Sequence, residues 1–285
     1  MTRVLVLGTS GTIGHTLLKV LSEDNNLDVW GTVRSASLSR HFSRSIAEKV
    51  RTDVHAENVD GIAKLVAELR PHVVINCIGL IKQIAHADDP LVVLPINAML
   101  PHRLTHICAL AGAKLIHFST DCVFSGNRGD YLETDPGDAT DLYGQSKFIG
   151  EVSASHAVTL RTSFIGHELE TSRELIEWFL AQEGRIRGFT RAIYSGLPTV
   201  ILARLVRDIV LPRVDLVGLY HIASEPISKF DLLTLVAKVY GKTIAIEPDD
   251  IIRVDRSLNG TKFRQATGYT APSWPVMIEA MHEYR

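Results

Sequence analysis

The sequence predicts a doubly wound parallel α/β sheet carrying a smaller, discontinuous C-terminal lobe. Three observations lead there. Short apolar runs without polar alternation recur through the first half, as in strands buried on both faces. Segments with helical apolar spacing separate them, so the units repeat as strand and helix. The glycine and polar positions that break this pattern fall where the strands end, the edge at which open α/β sheets hold ligands. Gly8, Arg34, Asp53, Cys77 to Gly79 and Thr120 all lie at such ends.

The first unit is the most specific. Arg3–Leu7 is an apolar strand that runs into Gly8-Thr9-Ser10-Gly11-Thr12-Ile13-Gly14, and His15–Leu21 continues with the spacing of a helix. In this GxxGxxG pattern Gly8 allows a tight turn and Gly11 lets the backbone approach a pyrophosphate. Gly14 lets the helix pack closely on the strand, and the helix N-terminus favours the anion. A Rossmann-type dinucleotide site is expected here. The second strand, Leu27–Val33, ends at Arg34-Ser35. Sites that prefer the free ribose place a carboxylate at this point, whereas a guanidinium beside a hydroxyl suits a 2′-phosphate. NADPH is therefore the expected cofactor, with NADH left open.

Glu48–Thr52, His72–Ile78, Lys114–Thr120 and Val158–Thr162 read as the next four strands. Between them, Asn58 caps a helix that runs to Leu69 before Pro71, and Asn97–Gly112 has helical spacing. Residues 1–165 are expected to bind the dinucleotide, with a helix and a strand returning to that domain near 198–224. Residues 166–197 and 225–285 are assigned to the substrate lobe. There, Glu174–Ala181 reads as an amphipathic helix and Gly184–Gly196 as a basic, turn-rich stretch. Ser228 caps a helix that stops at Gly241, and the tail from Pro248 onward carries Pro, Arg and Trp at irregular spacing.

The chemistry is carried by Tyr143-Gly-Gln-Ser-Lys147. A Tyr and a Lys four apart share one helix face. A phenol titrates near ~10 in water, and a fixed cation beside it favours the phenolate. Thr120, ending the fifth strand, would offer a second hydroxyl to the same carbonyl oxygen. Asp121 reads as a hydrogen-bonding anchor beside Cys122. Lys82, just past the fourth strand, is placed to reach a phosphate or the substrate. Arg187, Arg191 and Arg256 are candidates for a substrate diphosphate, because guanidinium forks suit phosphate oxygens. His117, inside an apolar strand, reads as a satisfied core residue.

Composition narrows the partners. The 285 residues are 46% hydrophobic and 22% charged with a net charge of -2, the profile of a globular chain with no bulk attraction for nucleic acid. No apolar run reaches transmembrane length, and the first strand begins too early for a signal peptide to precede it. Cys77, Cys108 and Cys122 cannot all pair and lack metal-ligand spacing. The expectation is a cytoplasmic protein with no metal, no membrane and no nucleic-acid partner.

Taken together, these residues resemble the extended short-chain dehydrogenases/reductases. More narrowly, Ser119-Thr-Asp-Cys-Val-Phe-Ser-Gly126, Tyr131-Leu-Glu133, Leu142-Tyr-Gly-Gln-Ser-Lys147 and Gly196-Leu-Pro-Thr199 are similar to the dTDP-4-dehydrorhamnose reductases. The resemblance implies NADPH-dependent reduction of the 4-keto group of a nucleotide-activated deoxy sugar, in polysaccharide biosynthesis. Tyr143 would be the proton donor, Lys147 would lower its pKa and hold the nicotinamide ribose, and Thr120 would bond the substrate carbonyl. Asp53 and Val54 would flank the adenine. Cys77, Ile78 and Gly79 would line the middle of the cofactor, with Ser163, Phe164 and Ile165 near the nicotinamide amide. Cys122 stands where these reductases more often carry Tyr, and where a 4,6-dehydratase carries the Glu it needs for acid–base work. A 4-epimerase needs only the Tyr–Lys pair, and similar proteins also serve as non-catalytic NADP-binding regulatory subunits. Both alternatives stay open, as does a homodimer.

Overall fold

A computed structural model describes residues 1–82 and 87–285. Its centre is a seven-stranded, wholly parallel sheet built from β1 (Thr2–Leu7), β2 (Leu27–Thr32), β3 (Val50–Arg51), β4 (Val73–Asn76), β5 (Lys114–Ser119), β6 (Ala157–Arg161) and a last strand, Gly218–His221. From edge to edge the order is Gly218–His221, β6, β5, β4, β1, β2, β3. The chain therefore winds outward in both directions from the β1/β4 pair. That reversal opens a crevice beyond the carboxyl ends of these strands. In register, Leu7 lies beside Asn76, Asn76 beside His117, and Ser119 beside Arg161.

The period of two in the strands decides which residues meet which helices. Val4 and Val6 face one apolar cluster, with Ile75, Ile116 and Val158 and residues of the helices Thr12–Ser22, Thr199–Leu205 and Trp274–Glu283. Leu5 and Leu7 face the other, with Val74, Leu115 and residues of the helices Val59–Leu69 and Leu100–Ala111. Val4 to Leu7 are all fully buried, which explains an apolar run without alternation.

Two stretches of the second half differ from the sequence reading. Gly184–Gly196 is not a loop: Arg185–Phe189 pairs in parallel with Ala245–Asp249, and Ala192–Tyr194 lies between Ile227–Ser228 and Val254–Asp255. These partners are thirty to sixty residues away, so local alternation carries little of the signal. In the irregular tail, Trp274, Met277, Ile278 and Met281 share one face of the helix Trp274–Glu283 and are buried in the main core. That spacing is a helical signal in its own right.

Candidate active site

A cavity of about 340 Å³ opens at the carboxyl edge of the sheet. Cys77, Ile78 and Gly79 line it after β4, Thr120, Asp121 and Cys122 after β5, and Ser163, Phe164 and Ile165 after β6. Tyr143 and Lys147 come from the helix Leu142–Ile149, and Lys82, Lys229 and Arg256 complete the wall.

Close packing fixes the tyrosine helix. Asp141 caps it, Oδ1 accepting from the Gly144 amide at 2.9 Å. A Cβ on Gly144 would sit 2.2 Å from the Cys122 carbonyl oxygen, and one on Gly150 would sit 2.0 Å from that of Asn97. Only glycine lets the helix lie this near both segments. Lys147 is buried, and its Nζ donates to the Phe118 carbonyl at 2.7 Å. Burial lowers its pKa to about 8, with Glu151 and Cys77 acting in the opposite direction.

The expected lowering of the Tyr143 pKa by Lys147 is not what the protein alone produces. Burial, reinforced by Cys122, raises the phenol above its ordinary value, and the hydrogen bond with Thr120 offsets part of the rise. The lysine is anchored on a backbone carbonyl, so desolvation wins. Thr120 also accepts from the Cys122 amide at 3.1 Å, capping the short turn Asp121–Val123, and donates to Asp121 Oδ1 at 3.2 Å. Asp121 is buried and raised by desolvation, against the pull of Arg256. Burial pushes the Cys122 thiol up to about 11, so it is a neutral thiol at ordinary pH.

Lys82 lies over the Tyr143 ring, its Nζ 5.4 Å from the centroid, and pairs with Asp141 Oδ2 at 2.9 Å. Arg256 donates from Nε to the Phe124 carbonyl at 2.8 Å. Arg187 and Arg191 do not join this wall. Cross-strand pairing puts Arg187 on the solvent face against Asp249 at 3.1 Å, and Arg191 is also exposed. Lys229, at the start of the helix capped by Ser228, is the cavity cation that the sequence reading missed. Its signal was its place directly after the cap. His117 is buried but half satisfied: Nδ1 meets Asn76 Nδ2 at 3.1 Å, while Nε2 has no partner among the described residues.

At the glycine turn Gly8 has φ 84, a left-handed backbone that suits glycine. Its amide donates to Thr32 Oγ1 at 3.0 Å, tying the turn to β2. A Cβ on Gly14 would lie 2.2 Å from the Gly8 carbonyl oxygen, so helix and strand could not close with any larger residue. Gly11 is exposed and caps the helix Thr12–Ser22 without a side chain, and this bare N-terminus fits a pyrophosphate. Thr9, Thr12 and Ile13 are buried in the turn, and Ser10 is half-buried. Arg34 and Ser35 are exposed just past β2. Asp53, with φ 61, is exposed past β3, and Val54 donates to the Val33 carbonyl at 3.2 Å. These four lie outside the cavity, at the end of the sheet where an adenosine half would extend from the glycine turn.

A second group escaped the sequence reading. Arg161, 1% exposed, donates from Nε and Nη2 to Glu151 at 2.8 and 2.6 Å and from Nη1 to His221 at 2.8 Å. Ser119 donates to the same carboxylate at 2.6 Å.

Fold and site together define an α/β oxidoreductase of the extended short-chain dehydrogenase/reductase type. The chain belongs to the family described as the RmlD substrate binding domain, whose model matches residues 1–281. It is 28% identical to dTDP-4-dehydrorhamnose reductase of Escherichia coli (strain K12), over 98% of this chain and 96% of that one. The mouse methionine adenosyltransferase 2 subunit beta is 27% identical over 60% of this chain and 49% of its own length. Among solved structures, dTDP-4-dehydrorhamnose reductase from Bacillus anthracis in complex with NADP has the same fold. Its TM-score is 0.79 at 21% identity, covering 100% of this chain and 99% of that one.

Proposed function

We propose that this chain is an NADPH-dependent reductase of the 4-keto group of a nucleotide-activated deoxy sugar, serving polysaccharide biosynthesis; the reductase part of this reading is supported by the dTDP-4-dehydrorhamnose reductases among its relatives. The observation that carries this reading is the meeting of Thr120, Tyr143 and Lys147 in one cavity that also reaches the ends of β4 and β6. Residues 1–165 hold the dinucleotide, and the lobe at 166–197 and 225–285 holds the sugar nucleotide.

NADPH, when bound, supplies the hydride. Tyr143 gives its proton to the ketone oxygen, and Thr120 steadies that oxygen with a second hydroxyl. Because burial holds the phenol protonated, Tyr143 is poised as an acid rather than a base. Lys147 presents an ammonium below about pH 8, which favours negative charge developing on the phenol as the proton leaves. Arg256 and Lys229 bring positive charge to the lobe side, where a diphosphate would lie. Cys122, in the place of a dehydratase's Glu, cannot serve as the acid that expels water, since its thiol is a weak acid here.

The test is to follow NADPH absorbance with a panel of nucleotide 4-keto-6-deoxy sugars. Oxidation of NADPH that disappears in Tyr143→Phe supports the reductase. Tight NADPH binding with no turnover of any keto sugar supports the regulatory-subunit reading, which the partial match to a methionine adenosyltransferase subunit keeps in view. Interconversion of 4-hydroxyl epimers without net NADPH loss supports the epimerase.

A further inference from the structure

We propose that Lys82 is a positioning residue for the reduction: it holds a positive charge over the face of the Tyr143 ring and ties the segment after β4 to the helix that carries the proton donor. The inference rests on the reductase reading for the reaction it serves, and on the geometry alone for the residue it names.

The contact is built from both sides. Lys82 follows β4 on the segment whose Cys77, Ile78 and Gly79 line the cavity, and it lines that cavity itself. Its Nζ lies 5.4 Å from the centroid of the Tyr143 ring and 2.9 Å from Asp141 Oδ2. The other oxygen of that carboxylate, Oδ1, accepts from the Gly144 amide at 2.9 Å and caps the helix Leu142–Ile149. The same carboxylate therefore fixes the first turn of the helix and the ammonium together. Tyr143 is the second residue of that turn.

The pair does little for stability. The Lys82 and Asp141 side chains are 39% and 42% exposed, and ion pairs this wet contribute little to folding. What matters is where the ammonium is held. A ring face attracts a cation within about 6 Å of its centroid. As Tyr143 releases its proton, negative charge spreads into the ring and that attraction grows. An interaction stronger in the transition state than in the ground state is the kind that raises kcat. Substrate filling the cavity would exclude water from the contact and strengthen it further.

The other groups around the phenol work against its ionisation. Cys122 and Asp121 face it from the turn after β5 and Glu174 from the lobe, and each disfavours a phenolate. Asp141 adds a carboxylate at the head of the tyrosine's own helix. Thr120 helps with a hydroxyl from the end of β5, and Arg256 faces Asp121. Lys147, one turn further along the helix, commits its ammonium to the Phe118 carbonyl. Lys82 brings a cation from a separate wall of the cavity, with a printed place over the ring.

The experiment reads the phenol directly in the full-length chain. A multiply fluorinated tyrosine in place of Tyr143 is acidic enough to titrate before the chain unfolds, and fluorine NMR follows its ionisation. In Lys82→Met the midpoint should rise by roughly half a unit or more, the worth of a cation–π contact at a partly exposed site. Lys82→Arg keeps the cation and should keep the midpoint. With the natural tyrosine, Lys82→Met should lower kcat by roughly 3- to 30-fold while NADPH affinity and Tm stay nearly unchanged. Lys82→Arg should regain most of that rate. An unmoved midpoint, a loss confined to KM for the keto sugar, or a rate that Lys82→Arg does not restore overturns the proposal. Wild type that reduces no keto sugar defeats the reductase reading instead, while the fluorine titration still decides whether Lys82 acts on the ring.

Discussion

The Lys147 ammonium bonds the Phe118 carbonyl at 2.7 Å, so the lysine of the YxxxK pair is anchored to the backbone of the strand that leads into Thr120. Its charge is complete only below about pH 8, because burial has lowered it from 10.5. The sign follows: the ammonium is present on the acid side and lost as pH rises. Reductive kcat should therefore fall as pH rises through about 8. Tyr143→Phe should lower kcat by roughly 10²- to 10⁴-fold, the usual worth of a positioned acid, with NADPH affinity nearly intact. Absorbance assays across pH and a fluorescence titration of NADPH check both. A profile flat beyond pH 8 would count against the role given to Lys147.

Gly14 shows how a helix is seated on a strand by the absence of one carbon. A Cβ there would come within 2.2 Å of the Gly8 carbonyl oxygen and 3.0 Å of Thr9 Cα, and backbone cannot rotate out of the way. Gly14→Ala should cost about 1–3 kcal/mol as overpacking and push the turn outward. NADPH affinity should drop by about tenfold or more, equivalent to ~1.4 kcal/mol. Gly11→Ala is the control for stability alone, since a Cβ there meets only the Gly8 oxygen at an ordinary 3.7 Å. Equal losses of stability in the two variants would contradict this account.

These contrasts show what was legible in the sequence. Gly8, Gly11 and Gly14 announced themselves because strand, turn and helix are contiguous, and Tyr143 and Lys147 because one helix carries both. Strand ends were readable wherever an apolar run met a polar residue, as at Asn76 and Ser119. The polar network was not, because Glu151 lies in the loop before β6 while Arg161 and His221 come from two strands, and they meet only through the parallel pairing of β5, β6 and Gly218–His221. An arginine inside a strand reads as a defect until its carboxylate is seen. The lobe was hard for the same reason: the pairing of Arg185–Phe189 with Ala245–Asp249 turned Arg187 toward solvent, while Lys229 reached the cavity.

Three buried histidines make folding sensitive to acid. Burial lowers His15 to about 4, His221 to about 3 and His117 well below the ordinary 6.5. Between those values the unfolded chain takes up a proton that the native chain refuses. Stability is then fully present above about pH 6.5 and is lost as pH falls, by at most about 1.4 kcal/mol per unit for each histidine. Tm should decline on acidification from neutrality, and His15→Gln should make the decline shallower while leaving the His117 and His221 shares. An identical slope in that variant would remove His15 from the explanation.

On the proposed function, Arg34 is the residue that would select the cofactor. It stands exposed with Ser35 where β2 ends, one strand over from the glycine turn that Thr32 ties down. A guanidinium there can take a 2′-phosphate with charge-assisted bonds but has no matching use for a free hydroxyl pair. Hydrogen bonds to charged groups are worth about 1.5–3 kcal/mol, so Arg34→Ala should weaken NADPH binding by roughly 10- to 100-fold. NADH binding should hardly change, because the lost partner was never engaged. Measuring both dissociation constants in wild type and variant tests this, and a variant that keeps its NADPH preference would move the source of that preference elsewhere.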